Sequence, residues 1–460
     1  MKKNNLIWIL LSLLSMQLMT SCKKTSPAQT STPPLDSTAR ASLALDSALI
    51  DAQQYYLWYN QIPSTFSPQS YSDPNALMIG LRNYSLEPGF GATPVDRWSF
   101  GVLQTDWNQL SGGIGTTTNA TITGDFGLNV FFRQQGDLRV KLVFPASPAG
   151  LAGIQRGWQI TKINGNTNIT TSNATFIINS VYYSTASTFT FLKPDGSSVD
   201  ISLTAATYPE PPVYMDTVYT VNSKTIGYLV VNSFLGDTTE MAAAYKQAIN
   251  HFNTQNVTDI IVDLRYNGGG YVTAQRDLAD YLAPNSASGG LMMKETFNDK
   301  NQALNSSLYF SKTGPINPNH IVFIVSQFTA SAGELLINNL KPYLTEKLIG
   351  PGNTDGKPVG FFPISDGKWY VFPVSFRSTN SQGNGSYFSG FTPDAIAADG
   401  LDKNWGDVTE SCLAEAIKYI TTGTFTPASQ QPLRTDPSVL AGNQQLNRAF
   451  SGVIDARMMK

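Results

Sequence analysis

The sequence has little of several residue types, and each scarcity excludes a class of protein. Only two cysteines are present, Cys22 and Cys412, so a disulfide framework cannot replace a hydrophobic core. Charged residues make up 14% of the chain, against roughly 25% in an average protein. The formal net charge is −2, and the basic patch that nucleic acid requires is missing. We therefore expect a protein that depends on its core and has no nucleic-acid partner.

Long apolar runs are also missing, with one exception near the first residue. Two lysines precede an apolar run at residues 6–16, which is too short to span a bilayer as a resident helix. The letters LMTSC then lead to Cys22, and small residues before a cysteine are typical of a bacterial lipoprotein signal. We expect residues 1–21 to be the signal peptide and Cys22 to be lipidated, which would anchor an exported protein in the bacterial cell envelope, on the periplasmic or the surface side. Ordinary secretion is the alternative.

The first half of the chain divides into segments of different composition. Residues 22–37 are rich in Pro, Ser and Thr, which indicates a flexible tether. Residues 38–99 carry apolar residues at three- and four-residue spacing, which predicts a helical N-terminal domain. Residues 100–208 contain short β runs separated by Gly, Asp and Asn turns, which predict a β-rich domain.

The second half of the chain alternates strands and helices. The proline-rich letters YPEPPVY, starting at Tyr208, indicate a stiff linker into residues 209–425. There, strands that are apolar on both faces alternate with helices, which predicts a sheet covered on both sides. Residues 426–460 are polar and are expected to form a partly disordered tail. The predicted fold class is therefore multi-domain α/β.

A serine at a junction between a strand and a helix is the first candidate for chemistry. The strand HIVFIVS runs into the small-residue turn QFTAS, which carries Ser331, and then into the helix AGELLINN. At such a junction the hydroxyl and the following amides point to one place, where the helix dipole favours an anion. Ser331 is either a nucleophile or an ordinary helix cap, and its position alone does not decide.

A serine nucleophile needs a base, and the scarcity of histidine narrows the choice. His320 begins the strand that leads to Ser331, which places it roughly 30 Å away along an extended chain. His251 lies in a helix that pairs with a different strand. A lysine can act instead where its surroundings keep the amine neutral. Lys357 follows a glycine-rich loop and lies among small and aromatic residues, although an ordinary surface lysine fits the same pattern.

A glycine-rich turn is the third element. Asn267 to Gly270, NGGG, follow a buried-looking strand, and glycine lets the backbone approach a ligand closely. Amides of Gly268 or Gly269, together with that of Ala332, are candidates for an oxyanion hole. A plain tight turn is the alternative, and the spacing of phosphate-binding and dinucleotide-binding glycine motifs is missing.

In this order, the three elements resemble the C-terminal-processing, or tail-specific, family of serine proteases. DLRYNGGG is similar to the glycine motif of that family, TASAGE to its nucleophile motif and IGPGNTDGK to the segment that ends in its catalytic lysine. The letters QQYYLWYNQIP resemble the N-terminal segment of exported Bacteroidetes-type members. The resemblance implies a catalytic domain related to crotonases and Clp proteases, with a Ser331–Lys357 dyad and no metal or cofactor. The family often has a glutamine where this chain has Phe361.

A second resemblance lies in the β-rich segment. SPAGLAGIQRGWQITKINGNTN is similar to the signature of a PDZ domain, in which Phe126, Gly127 and Leu128 would form the carboxylate-binding loop. Such a domain captures a C-terminal tail by strand addition. We therefore expect an endopeptidase that acts on proteins or peptides with accessible C-termini and is held at the membrane by its lipid. The alternative is a PDZ-type scaffold that binds peptides without cleaving them.

Overall fold

The computed structural model describes residues 37–111, 124–428, 436–447 and 452–455. The expected signal peptide, the lipidation site Cys22 and nearly all of the expected tether lie outside these residues. Within the described ranges, no helix combines the length and the apolar character that a membrane span requires.

The N-terminal part is helical and shares its core with the α/β domain that follows later in the chain. Its elements are α1 Ser37–Tyr55, α2 Pro74–Leu81, β1 Phe100–Leu103 and α3 Gln104–Ser111. Tyr56 and Leu77 are buried in the same hydrophobic cluster as the α/β domain. Strand β1 pairs antiparallel with Trp369–Phe372, and the ring of Phe100 stacks on a phenylalanine of that strand. The predicted domain boundary at residue 100 is therefore wrong, because β1 belongs with the α/β domain.

The next part, which we call the β domain, is an antiparallel sheet with two short helices. Its elements are β2 Leu128–Gln134, β3 Asp137–Val143, α4 Pro148–Leu151, β4 Gln159–Ile163, α5 Ala174–Tyr182, β5 Ala186–Leu192 and β6 Ser198–Thr204. The strand order β2-β3-β4-β5-β6 leaves β2 at one edge of the sheet. Gly127, with φ of +67°, precedes β2, and a Cβ atom there would lie 2.0 Å from the Cβ of Ser147. Only glycine fits that turn.

The α/β domain supplies most of the remaining strands and four helices. The strands are β7 Val213–Val221, β8 Lys224–Val231, β9 Asp259–Asp263, β10 Gly269–Tyr271, β11 Leu291–Phe297, β12 Ser306–Tyr309, β13 His320–Ile324, β14 Glu346–Gly350, β15 Val359–Gly360, β16 Ile364–Asp366, β17 Trp369–Phe372, β18 Phe376–Asn380 and β19 Ala395–Ile396. The helices are α6 Thr238–Thr254, α7 Val272–Leu282, α8 Ala332–Leu340 and α9 Ser411–Thr422.

The central sheet of the α/β domain has the strand order β19-β14-β13-β9-β8-β7, and every neighbouring pair is parallel except β7 with β8. Side chains of α6, α7 and α8 pack on one face, and those of α9 and the β domain pack on the other. Strand β9 shows the alternation, since Ile260 and Val262 belong to the first cluster and Ile261 to the second. The prediction of a sheet covered on both sides is confirmed.

A side-chain cap begins one of these helices, and a buried ion-pair network joins the β domain to the α/β domain. The Asp237 carboxylate accepts hydrogen bonds from two amides in the first turn of α6. Arg265, which is almost fully buried after β9, pairs with Glu410 at 2.8 Å and with Asp399 at 3.1 Å. Asp399 also binds Arg156 of the β domain at 2.8 Å, so this network fastens the β domain to the edge where β9 ends.

Among the described residues that follow the α/β domain are α10 Pro437–Leu446 and β20 Gly452–Ile454. Helix α10 packs on β2 and α5 of the β domain. Strand β20 pairs parallel with β10. The prediction of a partly disordered tail is therefore wrong for residues 436–447 and 452–455, because these residues bury apolar side chains and make backbone pairs.

The two-sided core makes a direct stability prediction. Leu278 on α7 is fully buried, whereas Leu151 on α4 is 80% exposed. Replacing Leu278 with alanine removes apolar contacts and leaves a cavity, so Leu278→Ala should lower the free energy of unfolding by about 2–5 kcal/mol. The same substitution at Leu151 should change it by less than about 0.5 kcal/mol. Urea denaturation of both variants checks the prediction, and equal losses would contradict the assignment of the core.

Candidate active site

One buried carboxylate joins the serine turn to the lysine loop. The amides of Ser331 and Lys357 both donate to Glu334 Oε2, at 3.0 and 2.8 Å. The other oxygen of Glu334 accepts from the amide of Gly356 at 2.7 Å and from the hydroxyl of Thr354 at 2.5 Å. Because the same oxygen binds both amides, the two residues proposed from the sequence are neighbours in space.

Ser331 has a strained backbone and an unpaired hydroxyl. It lies between β13 and α8 with φ of 56° and ψ of −113°, a region that favours glycine and costs about 1–3 kcal/mol for other residues. The side chain is fully buried, and Ser331 Oγ has no hydrogen-bond partner among the described residues. A serine that only capped the helix would use this oxygen to accept an amide hydrogen. The unpaired, buried hydroxyl therefore favours a functional role.

Lys357 is fully buried, and its surroundings favour the neutral amine. Burial lowers the pKa of Lys357 to about 7, because the interior solvates the charged form poorly. The nearby carboxylates of Asp355 and Asp96 oppose this shift, and the guanidinium of Arg82 adds to it. A large fraction of the amine is then neutral near pH 7, as a general base requires.

Two aromatic rings form the niche around the lysine amine. Lys357 Nζ lies 3.9 Å from the centroid of the Phe361 ring and 5.5 Å from that of Trp98. Phe361 occupies the position where the family often has glutamine, so an aromatic face replaces an amide at this position. Trp98 comes from the N-terminal part, and its indole N–H donates to Asp355 Oδ2 at 2.8 Å. No sequence signal distinguished Trp98 from the many other aromatic residues of the chain.

The glycine turn lies directly against the serine. A Cβ atom at Gly269, which has φ of +109°, would lie 3.0 Å from both Ser331 Cβ and the amide nitrogen of Ala332. The amide of Gly269 already donates to Asn267 Oδ1 at 2.9 Å, so its hydrogen is not available to an oxyanion. The prediction of Gly269 as an oxyanion donor is therefore wrong, and Gly269 shapes the turn instead. Among the described residues, the amides of Gly268 and Ala332 have no acceptor, so these two remain candidates for the oxyanion hole.

The structure pairs both histidines with aspartates away from the serine. His251 Nδ1 is 2.5 Å from Asp216 Oδ2, and His320 Nδ1 is 2.6 Å from Asp259 Oδ1. His320 begins β13, whereas Ser331 follows the opposite end of that strand. The fold therefore brings Lys357, and neither histidine, to the loop that shares the Glu334 carboxylate with Ser331. In the part of the chain that is described, His, Cys, Asp and Glu form no group of three suited to a metal ion.

The loop proposed to bind a peptide carboxylate is already occupied by a carboxylate of the chain. The amide of Gly127 donates to Asp125 Oδ1 at 2.7 Å, and the side chains of Phe126 and Leu128 are buried. A second carboxylate would be repelled by Asp125 and would find the Gly127 hydrogen in use. The prediction that Gly127 binds a terminal carboxylate is therefore corrected, while the edge of β2 that follows it stays a candidate for peptide pairing.

The geometry predicts how a change at Glu334 will behave. In Glu334→Gln, an NH₂ group replaces one oxygen and meets amide hydrogens, so the free energy of unfolding should fall by about 3 kcal/mol. The reaction of Ser331 with a fluorophosphonate probe should slow as the loops separate. The exposed Glu240→Gln in α6 is the matched control. Urea denaturation and probe labelling are the measurements, and a Glu334→Gln variant as stable and as reactive as the control would contradict this role.

Two family models match parts of this chain. The model of "Peptidase family S41" matches residues 225–397, which include Ser331 and Lys357. The model of the "Peptidase S41 N-terminal domain" matches residues 52–100, which include Trp98.

Two relatives extend the comparison. A "Carboxyl-terminal-processing protease" of Picosynechococcus sp. (strain ATCC 27264 / PCC 7002 / PR-6) is 28% identical over 272 residues, a stretch that covers 57% of this chain and 61% of the relative. This chain thus spans about three fifths of that relative's length. A solved structure from Bacteroides fragilis NCTC 9343, assigned to the S41 proteases, has a TM-score of 0.66 at 22% identity and covers 82% of this chain and 97% of its own. That likeness shows the shared fold. Residues 225–397 of this chain are therefore similar to peptidase family S41, a family of serine peptidases.

Proposed function

We propose that this protein is a serine endopeptidase that hydrolyses peptide bonds of protein substrates with Ser331 and Lys357. The observation that carries the proposal is the buried lysine, with a pKa lowered to about 7, tied through Glu334 to a strained serine with an unpaired hydroxyl. A structural lysine would gain nothing from such burial, whereas a general base requires it.

The reaction follows from the groups present. Neutral Lys357 takes the proton of Ser331 while Oγ attacks the scissile carbonyl carbon. The oxyanion that forms accepts hydrogen bonds from the amides of Gly268 and Ala332, each worth about 3 kcal/mol. When the tetrahedral intermediate collapses, the leaving amine takes the proton from Lys357 and an acyl-enzyme remains. A water molecule, deprotonated by the same lysine, then releases the acyl group.

The aromatic niche places the Lys357 amine against the face of the Phe361 ring. An aromatic face attracts the charged amine and so favours protonation by about 0.5–2 kcal/mol. Burial acts in the opposite direction and is the larger effect, since the pKa falls. Phe361 therefore orients the amine, and the lack of solvent around it keeps it basic.

We also propose that the β domain is a PDZ domain that captures C-terminal tails of substrates by strand addition at β2. The support is its antiparallel sheet with β2 at the edge and α5 beside it, where the hydroxyl of Tyr182 accepts from the amide of Val130 at 3.1 Å. The proposed position in the cell is the bacterial envelope, with a lipid on Cys22, and its support is the sequence pattern at residues 1–22.

The dyad predicts the outcome of two substitutions. Ser331→Ala and Lys357→Ala should each reduce hydrolysis of an unfolded protein by at least about a thousandfold and abolish fluorophosphonate labelling, because the two residues act as a unit. Lys347→Ala, at a partly exposed ion pair with Asp394, is the control and should keep full activity.

Cleavage that survives in both active-site variants would contradict the dyad. A wild-type protein that binds C-terminal peptides but is neither labelled nor able to cleave would favour the peptide-binding scaffold instead.

The lowered pKa of Lys357 predicts that activity and stability both rise with pH, activity as pH approaches 7 and stability between about pH 7 and 10. Labelling of Ser331 should slow below about pH 7, as the base becomes protonated. The unfolded chain, with a lysine pKa near 10.4, binds more protons between about pH 7 and 10, so stability should rise with pH there by up to about 1.4 kcal/mol per unit. Lys357→Met should lack this rise. Identical slopes in both proteins, measured by urea denaturation, would contradict it.

A further inference from the structure

The catalytic residues are closed to solvent in the structure described here. Ser331 and Lys357 both have 0% of their surface exposed. A peptide substrate therefore reaches them only after some part of the protein moves. We call residues 436–447 and 452–455 the C-terminal segment.

We propose that the C-terminal segment is an intramolecular pseudosubstrate, which occupies the edge of β2 and the catalytic cleft at once and inhibits the peptidase until it is displaced. The inference rests on the proposed function and adds to it a means of regulation. Its two halves, helix α10 and strand β20, make separate contacts, and each half fills a place that an extended substrate would use.

Helix α10 covers the peptide-binding edge of the β domain. Asn443 Oδ1 accepts from the amide of Phe132 at 2.7 Å, and Asn443 Nδ2 donates to the carbonyl of Phe132 at 2.9 Å. The carboxamide thus satisfies both backbone groups that a β-strand peptide would pair with at this position of β2. Gly442 brings the helix close, since a Cβ atom there would lie 2.9 Å from Thr171, just before α5.

Strand β20 lies between the glycine turn and Phe361 of the lysine niche. The amide of Gly452 donates to the carbonyl of Gly268 at 2.9 Å, and β20 pairs parallel with β10. On its other side, the amide of Asp455 donates to the carbonyl of Phe361 at 3.2 Å. The segment therefore pairs with both the turn that carries an oxyanion donor and the residue whose ring faces Lys357.

The carbonyl of Gly452 packs against the glycine turn next to the proposed nucleophile. The position that a Cβ atom of Gly269 would occupy is 2.3 Å from Gly452 O and 3.0 Å from both Ser331 Cβ and Ala332 N. One carbonyl of the segment is thus beside the nucleophile and the proposed oxyanion amide. Backbone pairing on two sides is also how an extended peptide gains affinity without depending on its sequence.

The segment has properties suited to release. Helix α10 has 10 residues, and an isolated helix of that length is marginal in water. Once displaced, it would lose its structure, so rebinding has an entropic cost that keeps its affinity moderate. A substrate tail that pairs with β2 competes directly with Asn443, which couples capture of a tail to opening of the cleft.

The test uses the full chain and three substitutions. Asn443→Ala removes both contacts with Phe132, and Gly452→Pro removes the amide that binds Gly268. Gln444→Ala, exposed on the same helix, is the matched control. The rate of fluorophosphonate labelling at Ser331 should rise about tenfold in each of the first two variants, the shift expected from losing one or two ordinary hydrogen bonds. The control should label like the wild type.

A second measurement separates displacement from damage. A synthetic peptide of residues 436–455, added to Asn443→Ala, should slow labelling back toward the wild-type rate, whereas a peptide with the same composition in scrambled order should not. Wild-type and both variant proteins that label equally fast would overturn the inhibitory role and leave the peptidase intact. Failure of every protein to label, with melting temperatures unchanged, would instead overturn the proposed function.

Discussion

The carboxylate of Glu334 is the interaction on which the site depends. It comes from the first turn of α8, where a negative charge is favoured by the helix dipole, and it accepts four hydrogen bonds from the serine turn and the lysine loop. Burying a carboxylate costs several kcal/mol, and four donors to a charged acceptor offset it by about 1.5–3 kcal/mol each. Burial raises the pKa of Glu334 to about 7, so the balance is close. A loop that lost its donors would no longer hold the charge.

The exclusion of solvent destabilises the charged form of Glu334 and, for the same reason, favours the neutral and basic form of Lys357. Both groups are fully buried, and burial moves their pKa values toward each other, the acid upward and the amine downward. The burial that raises the pKa of Glu334 therefore also favours the neutral amine of Lys357. The Trp98 indole, which the N-terminal part supplies, closes this environment. The N-terminal part is therefore a component of the site and more than a support for it.

The sequence predicted the parts of the site that local chemistry defines. Ser331, Lys357 and the glycine turn each lie near the end of a strand among small residues. Their order along the chain resembles that of the C-terminal-processing proteases. It did not predict which amides are free, because Gly127 and Gly269 are bound by the side chains of Asp125 and Asn267, whose rotamers depend on the folded state. The sheet covered on both faces was predictable because its strands are apolar on both faces. The position of β1 was not predictable, because antiparallel pairing over a long sequence separation leaves no periodic signal.

The C-terminal segment illustrates the same limit in another form. Its polar composition indicated disorder, yet Asn443 and Gly452 find partners that only the assembled β domain and α/β domain present. A polar side chain can take the place of a strand because a carboxamide has the donor and the acceptor of a peptide group. Sites built to bind any backbone are open to the protein's own backbone and its mimics. In the regulation we propose, the C-terminal segment uses this property and takes the place of an extended substrate until a tail displaces it.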